Sequence, residues 1–325
     1  MGRRRSQIEE KIHTQIIIHK PILSQLVVIT MTIFTIVFIL ISLTKGESQM
    51  ITKKMFSEVL NKEVKYNVYY PKGYSTDKQY PIIYGLHGMG WNYTYYNVSQ
   101  PSFDQAIEKK LIDPFILVCP DALNSFFINT FADDYKFEDF FITEFIPHVE
   151  QTENVISSTT HRALFGISMG GFGTTYYSLK YQEMFSVAVA MSPALMIDDY
   201  NEILNICKKQ PNTKFCFQSK VVFQIFGDEE RYLEYNVNSM LKSHEKGTFK
   251  TPLYACVGKQ DYLFDYIIQA RDNLLKYHDN VVYDLDDIGD HEEWYWFKKA
   301  PIALKFIQDH WKSNSRFFDS NQVEL

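Results

Sequence analysis

Arg162-Ala163-Leu164-Phe165-Gly166-Ile167-Ser168-Met169-Gly170-Gly171 is the stretch on which the fold turns. An apolar run of strand length ends at Ile167, and a helix-like pattern follows from Gly170 to Tyr181. A serine between strand and helix, with a glycine two places to either side, is the pattern of a nucleophile elbow. The glycines follow from sterics: the turn is sharp, and a side chain at Gly166 or Gly170 would strike neighbouring backbone. Gly173 extends the small-residue face and lets the helix lie close to the sheet.

Around this elbow the chain alternates strands and helices. Strand-like runs are Val64 to Tyr70, Pro81 to Leu86, Phe115 to Cys119, Ala163 to Ile167, Val187 to Met191, Val221 to Phe226, Leu253 to Val257 and Val281 to Asp284. Helix-like segments run from Phe137 to Val149, Gly170 to Tyr181, Tyr262 to Tyr277 and Trp294 to Lys312. Such alternation predicts a mostly parallel sheet flanked by helices, with its chemistry at the carboxyl ends of the strands; together with the elbow it reads as an α/β-hydrolase fold. Residues 195–219 are polar, lack a clean period and read as a small inserted lid.

A serine hydroxyl is a weak nucleophile until a base takes its proton. His291 follows the last strand-like run through Asp286-Asp287-Ile288-Gly289-Asp290, where this fold carries its histidine. His310 and His278, by contrast, fall within or at the end of a helix and read as surface residues. Two carboxylates compete to orient the base: Asp261 closes Cys256-Val-Gly-Lys-Gln-Asp261, and Asp228 closes Phe226-Gly-Asp228. Chain order favours Asp261, since the acid normally follows the strand just before the histidine's; Asp228 then reads as a turn residue, and Asp265 is a weaker third option. The oxyanion needs two fixed N–H donors. Met169 supplies one, and Met89 in His87-Gly88-Met89-Gly90, after the strand ending at Leu86, supplies the other. His87 reads as a structural hydrogen-bonding residue. The acids Asp284, Asp286, Asp287, Asp290, Glu292 and Glu293 surround His291, but no second histidine or cysteine stands at ligand spacing, so a metal site is rejected.

The 325 residues hold one such domain, and a net charge of -6 leaves no basic stripe for nucleic acid. The segmentation reads as a tail over 1–21, a transmembrane helix over 22–43, a linker over 44–55, the hydrolase domain over 56–315 and a tail over 316–325. Ile22 to Leu43 is uncharged and long enough to cross a bilayer core, and Arg3, Arg4, Arg5, Lys11 and Lys20 precede it. The positive-inside rule puts the N-terminus in the cytoplasm and the catalytic domain outside. Secretion after cleavage is the alternative; Leu43-Thr44-Lys45-Gly46 makes a poor cleavage site. Cys119 and Cys256 sit in apolar strands and read as buried free thiols. Cys207 and Cys216 flank a polar loop that an oxidising compartment would let them close. Trp91, Tyr93, Tyr95 and Tyr96, with Trp294, Tyr295 and Trp296, crowd the two motif loops; Trp296 and Phe297 read as core of the last helix.

Leu86-His87-Gly88-Met89-Gly90, Gly166-Ile-Ser168-Met-Gly170-Gly171-Phe172-Gly173, Gly258-Lys-Gln-Asp261-Tyr262-Leu263 and His291-Glu-Glu-Trp294-Tyr-Trp296 together resemble the putative-esterase family that includes esterase D. Within it the chain looks most similar to tributyrin esterases. The resemblance spans about Phe56 to Trp311 and implies hydrolysis of short-chain acyl esters without metal or organic cofactor. It implies the same triad, Ser168, Asp261 and His291. Because the family also holds S-formylglutathione hydrolases, feruloyl esterases and acyltransferases, the resemblance leaves the substrate open. The membrane anchor departs from the family's pattern, and so does the cysteine-bearing insertion.

Overall fold

β-branched and aromatic runs that are apolar on both faces belong in a sheet covered from both sides. The computed structural model describes residues 46–132, 135–209 and 224–321, with side chains as far as 313 except those of 206–208. It shows β2 (Lys62–Tyr70), β3 (Ile82–Leu86), β4 (Ile116–Pro120), β5 (Arg162–Ile167), β6 (Val187–Met191), β7 (Leu253–Gly258) and β8 (Val281–Asp286) close to the expected positions. Every residue of β3 to β7 is buried.

An eighth strand, β1 (Gln49–Ser57), occupies most of the expected linker 44–55 and pairs antiparallel with β2 along its whole length. The domain therefore begins at about Ser48. The order is β1-β2-β4-β3-β5-β6-β7-β8, with β2 antiparallel to both neighbours and the other pairs parallel. Of the run expected as a strand from Val221 to Phe226, the described residues 224–226 are helical, and β6 pairs directly with β7.

The helices are α1 (Gln100–Glu108), α2 (Phe137–Phe140, continuing through the wide turn Phe141–Phe145 into Ile146–Thr152), α3 (Met169–Lys180), α4 (Tyr200–Lys209), α5 (Glu229–Tyr235), α6 (Val237–Lys242), α7 (Phe264–Tyr277) and α8 (Glu293–Asn321). α1 and α8 bury Phe103, Leu304 and Trp311 against one face of the sheet, and α2, α3 and α7 bury Phe141, Tyr177 and Ile267 against the other. α8 continues to Asn321, past the expected start of a tail at 316. Much of the high aromatic content goes into the α2–α3 layer, where Phe141 stacks on Tyr177 at 5.2 Å and Tyr84 meets Phe141 edge-on at 5.6 Å. Such pairs add about 0.5–1.5 kcal/mol each beyond burial itself. Glu138, buried in this layer, accepts from Lys180 Nζ (2.7 Å) and Tyr181 Oη (2.6 Å), so its charge is compensated as a buried carboxylate requires.

The span Ile22–Leu43, its tail, Cys216 and the side chain of Cys207 lie outside the described residues. Among the described residues no helix is long and apolar enough to cross a membrane. Cys119 and Cys256 are buried free thiols, and burial pushes both upward in pKa, Cys256 to about 12. Because thiolate is the reactive form, both are expected to resist a disulfide reagent in the native protein and to react fully in denaturant. Peptide mapping after each treatment checks this.

Candidate active site

The carboxyl end of β5 delivers Ser168 with φ 57° and ψ -114°, a conformation an L-residue holds only under constraint, at roughly 1–3 kcal/mol. The constraint is visible. Ser168 N–H donates to Met191 O on β6 (2.9 Å), while its carbonyl accepts from Phe172 (3.0 Å) and Ala194 (2.9 Å). A methyl group on Gly166 would lie 2.0 Å from Gly170 O, and one on Gly170 would lie 1.9 Å from Leu86 O. Only glycine therefore lets β5, α3 and the end of β3 meet around the serine.

Asp261 follows β7 by three residues, with no exposure of its side chain. Its Oδ1 accepts from Leu263 N (2.8 Å), and its Oδ2 accepts from His291 Nδ1 (2.8 Å). An ionised carboxylate has only acceptors, so the imidazole proton sits on Nδ1 and Nε2 is left to accept. Ser168 Oγ donates to that nitrogen at 2.9 Å. The ring is held sideways as well, by Tyr262 at 4.7 Å and by the edge of Trp296 at 5.2 Å, whose Nε1 donates to Ser192 Oγ (3.1 Å). Thus the structure brings together Ser168, His291 and Asp261. It leaves Asp228 elsewhere: that carboxylate caps α5 by accepting from Arg231 N (3.0 Å). Asp265 lies in the first turn of α7. His278, expected at the surface, is instead buried and accepts from Asn280 N (3.2 Å).

The loops bearing Asp261 and His291 meet through two glycines. A side chain on Gly258 would overlap the backbone of Gly289 at about 2 Å. Gln260 N donates to Gly289 O (2.9 Å), and Lys259 N to Asp286 O (2.8 Å). No periodicity or motif points to this contact; the only trace in the sequence is a glycine just ahead of each catalytic candidate.

The His87–Gly90 loop follows β3. His87 is buried with both nitrogens engaged: Nδ1 donates to Gly88 O (2.8 Å), and Nε2 accepts from Ala122 N (3.0 Å). Burial lowers its pKa, so it stays neutral and ties the loop to the end of β4. Asn124, unmarked in the sequence, adds a second tie by accepting from Gly90 N (2.8 Å). Met89 lines the same cavity as Ser168. Met169 is the first residue of α3, where backbone N–H groups have no partner within the helix.

The cavity measures about 650 Å³. Trp91 and Trp294 stand on its wall half exposed; Tyr96 and Tyr295 instead belong to the core, with Tyr96 Oη donating to Leu86 O and Phe165 O. Trp296, expected as core, is buried and also reaches the cavity. The described half of the expected lid does not cover this opening. Leu195, Ile197 and Ile203 are buried in the core on the α3 side of the sheet, and no described side chain of 195–209 lines the cavity. Around His291, Asp284 and Asp286 pair with Lys299 and Lys298, and Asp287 with Lys259, which accounts for half of the acidic run as salt bridges.

Residues 57–261 match the family described as "Putative esterase". The matched segment stops at Asp261, so the assignment of His291 stands on chain order and geometry. An acetyl esterase of Caldicellulosiruptor saccharolyticus is 25% identical over 69% of this chain and 82% of its own. An endo-1,4-beta-xylanase/feruloyl esterase of Xylanibacter ruminicola is 33% identical over 43% of this chain, which spans only 20% of that relative's length. Among solved structures, a ferulic acid esterase superposes with TM-score 0.63 at 26% identity, over 81% of this chain and 99% of that one. The Staphylococcus aureus serine hydrolase FphF shares the fold, with TM-score 0.61 at 19% identity over 81% and 99% of the two chains. On the family match, which covers more than half of its length, this chain belongs to the putative esterases and is a carboxylic ester hydrolase of the α/β-hydrolase fold.

Proposed function

We propose that the chain hydrolyses short-chain acyl esters through an acyl-enzyme, with Ser168 as nucleophile, His291 as general base and then acid, and Asp261 holding His291 in the required tautomer. The observation that carries this reading is the continuous hydrogen-bond chain from Leu263 N through Asp261 and His291 to Ser168, opening into a solvent-connected cavity. Ser168 attacks the ester carbonyl as its proton passes to Nε2; the oxyanion forms facing the N–H groups of Met89 and Met169; the proton then leaves with the alcohol. Water activated by the same nitrogen hydrolyses the acyl-enzyme. No metal or organic cofactor enters these steps.

A short acyl group is supported by the acetyl esterase relative. The feruloyl and ferulic acid esterases among the relatives, with the two half-exposed indoles on the cavity wall, support an aromatic acyl group as the second reading. An acyltransferase on this scaffold would need cover over the acyl-enzyme, and the described part of residues 195–209 provides none. We further propose that residues 22–43 anchor the enzyme in a membrane with its catalytic domain outside, on the length of the span and the basic residues before it.

The test is a p-nitrophenyl ester series from acetate to octanoate, with a feruloyl ester, followed by stopped flow. We expect turnover to be highest for acetate or butyrate, with an initial burst of about one p-nitrophenolate per chain wherever deacylation is slow. Absence of turnover on every ester would overturn the reading.

A further inference from the structure

Ser192, the first residue past β6, shares with Ser168 a positive φ, here 42°, and is wholly buried. A strained, buried serine persists only where its surroundings hold it, and such residues gather at functional sites. Here the ties run in three directions. Its neighbour Met191 takes the N–H of Ser168 (2.9 Å), and its own N–H donates to Cys256 O (2.7 Å) on β7, the strand that leads to Asp261. Its Oγ accepts from Trp296 Nε1 (3.1 Å). Trp296 is itself buried in the first turn of α8 and meets the His291 ring at 5.2 Å, the two planes 86° apart.

His291 needs such a neighbour. It stands on the loop between β8 and α8, and its hydrogen bond to Asp261 fixes Nδ1 while leaving the ring free to rock about that contact. Nε2, on the far side of the ring, would then swing away from Ser168 Oγ, and a displacement of about 1 Å at a reacting centre can cost about 10²-fold in rate. Tyr262 packs against the ring at 4.7 Å and the Trp296 indole against it at 5.2 Å. The indole restrains the ring only if it is itself fixed, and Ser192 Oγ is the acceptor that its N–H finds. We propose that Ser192 is a positioning residue for the reaction: acting through Trp296, it holds His291 Nε2 on the line to Ser168 during both acylation and deacylation. Trp296 lines the cavity and Ser192 does not, so Ser192 acts on turnover without touching substrate.

This inference rests on the esterase reading above, and the experiment keeps the two apart. Ser192→Gly removes the hydroxyl while suiting φ 42°, which glycine adopts without strain. Trp296→Phe keeps an aromatic ring and removes the N–H. Both, and the double variant, are compared with the parent full-length chain on p-nitrophenyl acetate, with thermal unfolding alongside. We expect Ser192→Gly to lower kcat by about 10- to 100-fold with KM within about twofold. The acylation burst and the steady state should slow together, since His291 serves both steps. Trp296→Phe should lose a similar factor, and the double variant no more than the worse single one, because the two residues act as one unit. A folded Ser192→Gly with kcat within about twofold of the parent, or a double variant whose losses multiply, would overturn the positioning role. So would a loss confined to KM or to thermal stability. If Ser192→Gly does not fold, Trp296→Phe decides alone: the same loss of kcat upholds the role, and kcat within about twofold of the parent refutes it. A parent without turnover on any p-nitrophenyl ester would instead remove the esterase reading.

Discussion

Ser168→Ala is expected to lower kcat on a p-nitrophenyl ester by about 10⁵–10⁶-fold, the scale on which loss of a triad serine acts. The argument is geometric. Ser168 Oγ is the group held at 2.9 Å from His291 Nε2, and among the described residues no other hydroxyl is paired with that nitrogen. Alanine keeps the Cβ, so the strained elbow and its backbone bonds to Met191, Phe172 and Ala194 remain. Stability should therefore move by no more than about 1 kcal/mol, and thermal unfolding of the variant should overlay the parent. A residual rate of about 10³-fold over water would come from the oxyanion donors and binding alone. Activity within tenfold of the parent would refute Ser168 as nucleophile.

The second large effect is Asp261→Asn, for which a loss of about 10⁴-fold in kcat is expected. Leu263 N–H needs an acceptor at 2.8 Å, and an asparagine can offer only its single oxygen there. Its NH₂ is then turned toward His291 Nδ1. Two donors would face each other unless the imidazole moves its proton to Nε2, and that leaves nothing to accept from Ser168. The fold is retained while the base points a proton at the nucleophile. Asp228→Asn is the control: it touches only the cap of α5, costs at most about 1 kcal/mol of stability and leaves turnover unchanged. If the two substitutions reduced kcat equally, the assignment of the acid would fall.

What the sequence revealed and what it hid divide along physical lines. The strands β3 to β7 were legible because burial on both faces leaves them almost without polar residues, and the elbow because its glycines are demanded by contacts under 2.1 Å. β1 was not. Exposed at the sheet edge and carrying Lys53 and Lys54, it shows no apolar stripe, and its identity comes from nine paired residues of β2. Residues 224–226, the described end of the run Val221 to Phe226, failed the other way: a short apolar segment has no periodicity to separate a strand from a buried helical turn. Within the site, Ser168, Asp261, His291 and His87 could be placed because each belongs to a motif or a strand end. Asn124, Ser192 and the Gly258–Gly289 contact act through residues far apart in the chain, and their partners are defined only after folding. His278 was misread because the end of a helix says nothing about what packs over it.

The meeting of Gly258 with Gly289 also limits how this protein can diverge. A side chain at Gly258 would strike the Gly289 backbone and one at Gly289 would strike both the Tyr295 ring and the Gly258 Cα, and as both glycines are already the smallest residue, neither can shrink to make room for the other. Descendants would be pinned at these two positions as firmly as at the elbow. Novelty in what the enzyme accepts is thereby steered to the rim, where Trp91, Glu292 and Trp294 are exposed and free to be exchanged without unseating the acid from the base.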